Sequence, residues 1–245
     1  MEIDKNLQRR KMFPNWTGVR YFTDASAQNP DRVDLKRGLA QSLVRSGNST
    51  TSLAAWKDVV ESPESTNADR VDFADALIRS GEWERAEEQL DKIPPTYETF
   101  KRYRLEAMVA DSEKDWKRAD SFYETAVGLT TRPAPVLNNW CYSKLTRGDF
   151  AGAEKLFGET LGYDPNLFTA KNNLVLARGA QGNYKMPVIP MTQTERAELM
   201  NTLALAAVKR GDVETGKSLL REAIETHPQH FDSAVRSLRT LENGA

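Results

Sequence analysis

The chain has 245 residues, 39% of them hydrophobic, and 34 Lys+Arg against 35 Asp+Glu give a formal net charge of -1. That balance leaves no global basic excess to grip nucleic acid or an anionic membrane surface, and no apolar run reaches the roughly 18 residues of a spanning helix. The single cysteine, Cys141, excludes an intrachain disulfide and a cysteine-rich zinc site.

Residues 1–13 carry a basic cluster, Arg9-Arg10-Lys11, but Met12-Phe13-Pro14 does not continue as the apolar run of a secretory leader. They read as a flexible tail. The chain is then either cytoplasmic, or periplasmic or outer-membrane-associated if a longer precursor carries a leader. From 14 to 245 the pattern predicts one continuous array, opening with a lone helix near Trp16 to Gln28.

A turn signal then recurs: Ser46-Gly47-Asn48, Ser80-Gly81-Glu82, Glu113-Lys114-Asp115, Arg147-Gly148-Asp149, Gln181-Gly182-Asn183 and Arg210-Gly211-Asp212. The Gly, or Lys114 in its place, recurs at intervals of 34, 33, 34, 34 and 29. Gly suits the left-handed residue that ends a helix, and Asp or Asn beside it can cap the next one. Before each turn, apolar residues recur at helical spacing, as in Leu39, Ala40, Leu43 and Val44. After it comes a second helix with interleaved small and large residues, such as Ala119, Tyr123 and Ala126, or Ala153, Phe157 and Thr160. The array is expected to be irregular at 93–98, where Ile93-Pro94-Pro95-Thr96 ends a helix early. It is irregular again at 185–193, where Pro187 and Pro190 favour an extended segment over a second helix. That segment is a plain linker or a docking edge. Phe231, Ala234, Leu238 and Leu241 then share one face of a terminal capping helix.

A 34-residue helix–turn–helix unit of this kind resembles the tetratricopeptide repeat, most clearly over Ala134 to Leu167. There Leu137, Trp140, Cys141, Gly148, Phe150, Ala153, Phe157 and Pro165 fall on the repeat's characteristic positions. The resemblance implies an all-α, right-handed superhelical solenoid. Trp56, Trp83, Trp116 and Trp140 are then packing between repeats. The first helices line a concave face, with their fifth and sixth positions pointing into it. Those positions are Arg37 and Gly38, Val71 and Asp72, Arg104 and Leu105, Asn138 and Asn139, Asn172 and Asn173, Asn201 and Thr202. An asparagine amide carries donors and an acceptor, so such a ladder can hold the backbone of an extended peptide. The alternative is that these asparagines are solvated or brace adjacent helices. Arg37 and Arg104 would add a preference for acidic segments.

Gly211-Asp212-Val213-Glu214-Thr215-Gly216-Lys217-Ser218 matches the phosphate-loop pattern letter for letter. That loop requires a strand before it, whereas the preceding segment has helical periodicity, so nucleotide binding is not expected. His227 and His230 flank Pro228 without a third ligand, and Cys141 lacks a catalytic partner. The sequence therefore predicts no catalytic residues, no cofactor and no metal.

Thr99 to Ser112, Ala119 to Tyr123, Ala170 to Ala180 and Pro187 to Thr192 resemble TadD-like proteins of alphaproteobacterial tight-adherence (Flp/Tad) pilus loci. The resemblance covers most of the chain apart from the first 20 or so residues. It implies a non-enzymatic accessory of pilus assembly or secretion. Its partner would be a protein or peptide, such as the outer-membrane secretin or another pilus component. A generic cytoplasmic adaptor or co-chaperone is the other reading.

Overall fold

The computed structural model describes residues 14–243, and the tail expected at 1–13 lies outside the described residues. All regular structure among the described residues is helical. The chain divides after Leu129 into two compact units. The first holds α1 (Pro14–Gln28), α2 (Val33–Arg45), α3 (Ser49–Val60), α4 (Asn67–Arg79), α5 (Trp83–Asp91), α6 (Phe100–Ser112) and α7 (Trp116–Gly128). The second holds α8 (Ala134–Thr146), α9 (Phe150–Tyr163), α10 (Phe168–Ala180), α11 (Gln193–Lys209), α12 (Val213–Thr226) and α13 (Asp232–Asn243).

Helices pack in pairs: α2 with α3, α4 with α5, α6 with α7, α8 with α9, and α11 with α12. One turn closes the first helix of each pair, and also the unpaired α10. Its pivot has positive φ at Gly47, Gly81, Gly148, Gly182 and Gly211, and at Lys114. The next N–H reaches back five residues, Asn48 to the Leu43 carbonyl at 3.0 Å and Asp115 to that of Ala110 at 2.9 Å. These bonds satisfy carbonyls that the helix end would otherwise strand. Lys114 holds φ at 63° with a side chain attached, which costs roughly 1 kcal/mol relative to a residue at ease there. Capping of the second helix is less uniform than expected. The Asp115 and Asp149 carboxylates accept from the N–H of Arg118 and Gly152. Asn48 and Asp212 make no such bond. The Asn48 amide turns to the Ser46 hydroxyl, and Asp212 accepts from the Tyr184 hydroxyl.

The small and large positions of the second helices form the core. Ala119, Tyr123, Ala126, Ala153, Phe157 and Thr160 are all buried, and the Thr160 hydroxyl donates to the Leu156 carbonyl at 2.8 Å. Trp56 is buried, and half-buried Trp83 packs against the same cluster. Trp116 and Trp140 are half-buried.

At both predicted irregularities a buried cation fixes the chain. Helix α5 stops at Asp91. Buried Arg102 donates to the Pro94 and Tyr97 carbonyls at 2.8 and 3.2 Å and to Glu106 at 2.6 Å, so the proline loop is held onto α6. Between α10 and α11 no second helix forms. Met186 and Met191 pack against Val175, Leu199 and Leu203, and Pro187 is buried between them. Lys171, only 2% exposed, reaches Glu195 at 3.0 Å. Glu195 also accepts from the Thr192 N–H at 2.7 Å, completing the capping box that starts α11. With no helix intervening, α10 and α11 pack directly. A Cβ on Gly179 would stand 2.6 Å from that of Ala206, so only glycine permits this approach. Helix α13 covers the end of the second unit with Phe231, Ala234, Leu238 and Leu241 on Ala204 and Leu220.

Candidate functional site

The first helices of each unit meet edge to edge, in parallel. In the first unit, Arg37 and Gln41 of α2 reach Asp69 and Asp72 of α4, and Lys101 and Arg104 of α6 reach Asp72 and Asp75. Both sets of partners advance in the same direction, which is the signature of parallel neighbours. In the second unit Thr202 of α11 donates to Asn172 of α10 at 2.7 Å, and Arg210 donates to the Ala180 carbonyl, also at 2.7 Å. Helix α8 contacts α10 in turn.

The first unit's face is held by ion pairs. Arg37 grips Asp69 with two bonds, at 2.6 and 2.8 Å, and adds one to the Glu64 carbonyl. Asp69 also caps α4, accepting from the Thr66 N–H and hydroxyl, both at 2.8 Å. Burial pushes the Asp69 carboxyl up. The Arg37 bonds and the Thr66 N–H and hydroxyl outweigh it and hold the group below the usual aspartate range. The Arg37 guanidinium is thus engaged within the protein. Arg104 lies 3.8 Å from Asp75, and its Nε is buried without a partner. Two positions expected to point outward are core instead, since Val71 is 3% exposed and Leu105 is fully buried.

The second unit's face is amide. Asn138 and Asn139 stand on α8, Asn172 and Asn173 on α10, and Asn201 on α11, all half-buried. The Oδ1 atoms of Asn138 and Asn201 are buried without a partner in the protein. The Asn172 Oδ1 accepts from Thr202, so this asparagine does brace an adjacent helix, while its NH2 makes no bond among the described residues. A cleft of about 580 Å³ opens at the start of α8, lined by Arg132, Pro135, Asn138, Tyr163 and Leu167 among others. Sequence reasoning missed this cleft. It also missed the exposed Tyr142 and Leu205, which lie one turn beyond Asn138 and Asn201 and were open to discovery from the four-residue spacing.

The phosphate-loop letters fall on a turn and a helix interior. Helix α11 precedes them and Gly216 is buried within α12, where a Cβ would meet Val208 at 2.4 Å. Lys217 pairs with Glu214 at 3.0 Å. His227 stacks on Phe231, and His230 lies 3.0 Å from Asp232. Among the described residues no cluster of three or more His, Cys, Asp or Glu is placed to hold a metal, and no helix is long and apolar enough to cross a membrane. Burial raises the Cys141 thiol to about 12.

No protein-family model matches the chain, and neither does any curated protein sequence. Solved structures do match. One from the APC/C hetero-tetramer Cut9–Hcn1 superposes with a TM-score of 0.66 at 12% identity, over 95% of this chain and 47% of that one, so this chain spans about half its length. A tetratricopeptide repeat protein from Parabacteroides merdae matches with a TM-score of 0.61 at 12% identity, over 98% and 97% of the two chains. The C-terminal part of a repeat-containing protein from Cytophaga hutchinsonii matches with 0.59 at 13% identity, over 94% and 96%. With its paired helices, left-handed turns and terminal capping helix, the chain has the fold of a tetratricopeptide-repeat solenoid.

Proposed function

We propose that this protein is a non-enzymatic interaction scaffold. It holds a protein or peptide segment against Asn138, Asn139, Asn172, Asn173 and Asn201 on the first helices of the second unit. One observation carries the reading: amides recur at equivalent places on three neighbouring helices, and two of them keep a buried carbonyl oxygen without a partner. A buried oxygen without a partner is costly, and keeping the amide's other edge turned outward to bond a segment is a physical reason to retain asparagine there. Arrays of helix pairs present extended surfaces suited to such binding. Arg37 contributes to the stacking of its own unit rather than to a partner, and Arg104 adds positive charge beside Asp75.

The setting we propose is Flp/Tad pilus assembly, with the outer-membrane secretin or another pilus component as partner. Its support is the sequence resemblance of the segments around 99–112, 170–180 and 187–192 to TadD-like proteins. A generic adaptor or co-chaperone is the second reading, favoured by the near-complete match to the Parabacteroides merdae repeat protein.

A photoreactive amino acid in place of Asn173, introduced in the native host, tests both. The scaffold reading expects a cross-linked protein that is lost when Asn138→Ala and Asn201→Ala are combined, with the melting temperature unchanged. Cross-linking untouched by those substitutions would sink it. The identity of the captured protein, pilus component or not, decides between the two settings.

A further inference from the structure

The amide row of the second unit runs beside an apolar row. Four residues after each fifth-position asparagine stands an apolar side chain: Tyr142 after Asn138, Leu176 after Asn172 and Leu205 after Asn201. Residues four apart share a helix face. Tyr142 is 59% exposed and Leu205 46%, and Leu176 is half-buried between them in sequence. The equivalent residues of the first unit are Gln41, Asp75 and Met108.

The amides are also polarised. Asn138 and Asn201 turn Oδ1 inward, and Asn172 gives Oδ1 to Thr202. Among the described residues their Nδ2 groups make no hydrogen bond, and they are not among the buried unpaired atoms. What the row offers a ligand is therefore hydrogen-bond donors. None of the row residues Asn138, Tyr142, Asn172, Leu176, Asn201 and Leu205, nor the neighbouring Asn139, Asn173 and Thr202, is charged.

Resting on the scaffold reading, we propose that this face takes a neutral, proline-rich segment in the polyproline II conformation. A β-like segment presents N–H groups as well as carbonyls, and the fifth-position row has no free acceptor to match them, since the Oδ1 atoms of Asn138 and Asn201 are buried and that of Asn172 is taken by Thr202. A polyproline II segment leaves its carbonyls unengaged, and each proline removes an N–H. Spacing points the same way. Same-side residues recur about every 9 Å in polyproline II, but about every 6.7 Å in a strand. Packed helices stand about 8–10 Å apart, a spacing closer to one polyproline turn than to one strand repeat. The exposed Tyr142 ring supplies the flat apolar platform on which pyrrolidine rings pack.

Fluorescence anisotropy on the full chain tests this with two labelled peptides about 15 residues long, long enough for several polyproline turns. One consists of Pro-Pro-Leu repeats, and the other has threonine in place of every proline. The proline peptide is expected to bind saturably and about tenfold or more tighter than its threonine counterpart. Asn138→Asp and Asn201→Asp keep the side-chain size but turn a donor edge into an acceptor, and each should weaken binding about tenfold. Tyr142→Ala, at an exposed position, should do the same and serves if an Asp variant fails to fold. Equal affinity for the two peptides, still lowered by the Asn variants, would overturn the polyproline inference and leave the scaffold standing. Binding indifferent to all three substitutions, or no binding of the proline peptide, would overturn it as well. The cross-linking experiment judges the scaffold separately.

Discussion

The two units stack their first helices in parallel, yet they join them with opposite chemistry. In the first, Asp69, Asp72 and Asp75 lie three residues apart along α4 and are met from one side by Arg37 and Gln41, and from the other by Lys101 and Arg104. In the second, a hydroxyl-to-amide bond, a guanidinium-to-carbonyl bond from Arg210 and one buried ammonium do the joining, and the neighbouring Asn138, Asn139, Asn173 and Asn201 are amide. Charges across parallel helices satisfy one another and leave little for a ligand. Amides engaged on one edge leave the other available. On the scaffold reading proposed above, equivalent positions of one repeat serve cohesion in one place and recognition in another.

Substitutions at three positions probe that contrast. The largest effect is expected at Lys171. Lys171→Ala strands Glu195 against a buried gap, at a cost of about 3 kcal/mol in urea unfolding. Lys171→Met fills the space and leaves Glu195 its bond to Thr192, so most of that loss should be recovered. If Met is as damaging as Ala, the ion pair itself is what joins α10 to α11.

Arg37→Ala comes next, at about 1.5–3 kcal/mol for the charged hydrogen bonds lost, and it carries a pH signature. Asp69 has a folded-state pKa below its unfolded value, so its contribution is present at neutral pH and lost as pH falls through the acidic carboxylate range. Without Arg37 the depression shrinks, and the acid transition should be less steep in the variant than in the parent. An unchanged acid limb, followed by circular dichroism, would show that Arg37 does not hold the carboxylate.

The smallest effect is expected at Lys114, the one turn pivot of the first unit that is not glycine. Lys114→Gly removes the strain of a left-handed side chain, offset in part by glycine's greater unfolded freedom. It should raise stability by no more than about 1 kcal/mol, read as a small rise in melting temperature.

The helices and their turns were legible because they are local. A glycine or lysine every 34 residues or so marks the left-handed pivot, and the alternation of Ala153, Phe157 and Thr160 marks a tight second helix. The proline interruptions and the face of α13 were legible for the same reason. Partnerships across repeats were not. Arg37 meets Asp69 because neighbouring first helices are offset, so the fifth position of one faces the third of the next, and counting within a single repeat hides this. Nothing local marks Lys171 as buried; Glu195 is brought to it by a segment with no helical period. Val71 and Leu105 occupy nominally outward positions, but both are large and apolar and the core took them. At the candidate face, the asparagines were visible as a repeated letter. Which edge of each amide is engaged depends on packing alone.

Cys141 offers a consequence of a different kind. It is the chain's single cysteine, it has no exposed surface, and its thiol is raised to about 12. Alkylating reagents attack the thiolate, so modification in the native protein must wait for α8 and α9 to part. The rate of labelling of the unaltered chain is therefore a clock for local opening of the second unit. Slower labelling in the presence of a ligand would report that the ligand had fastened the very helix that carries Asn138.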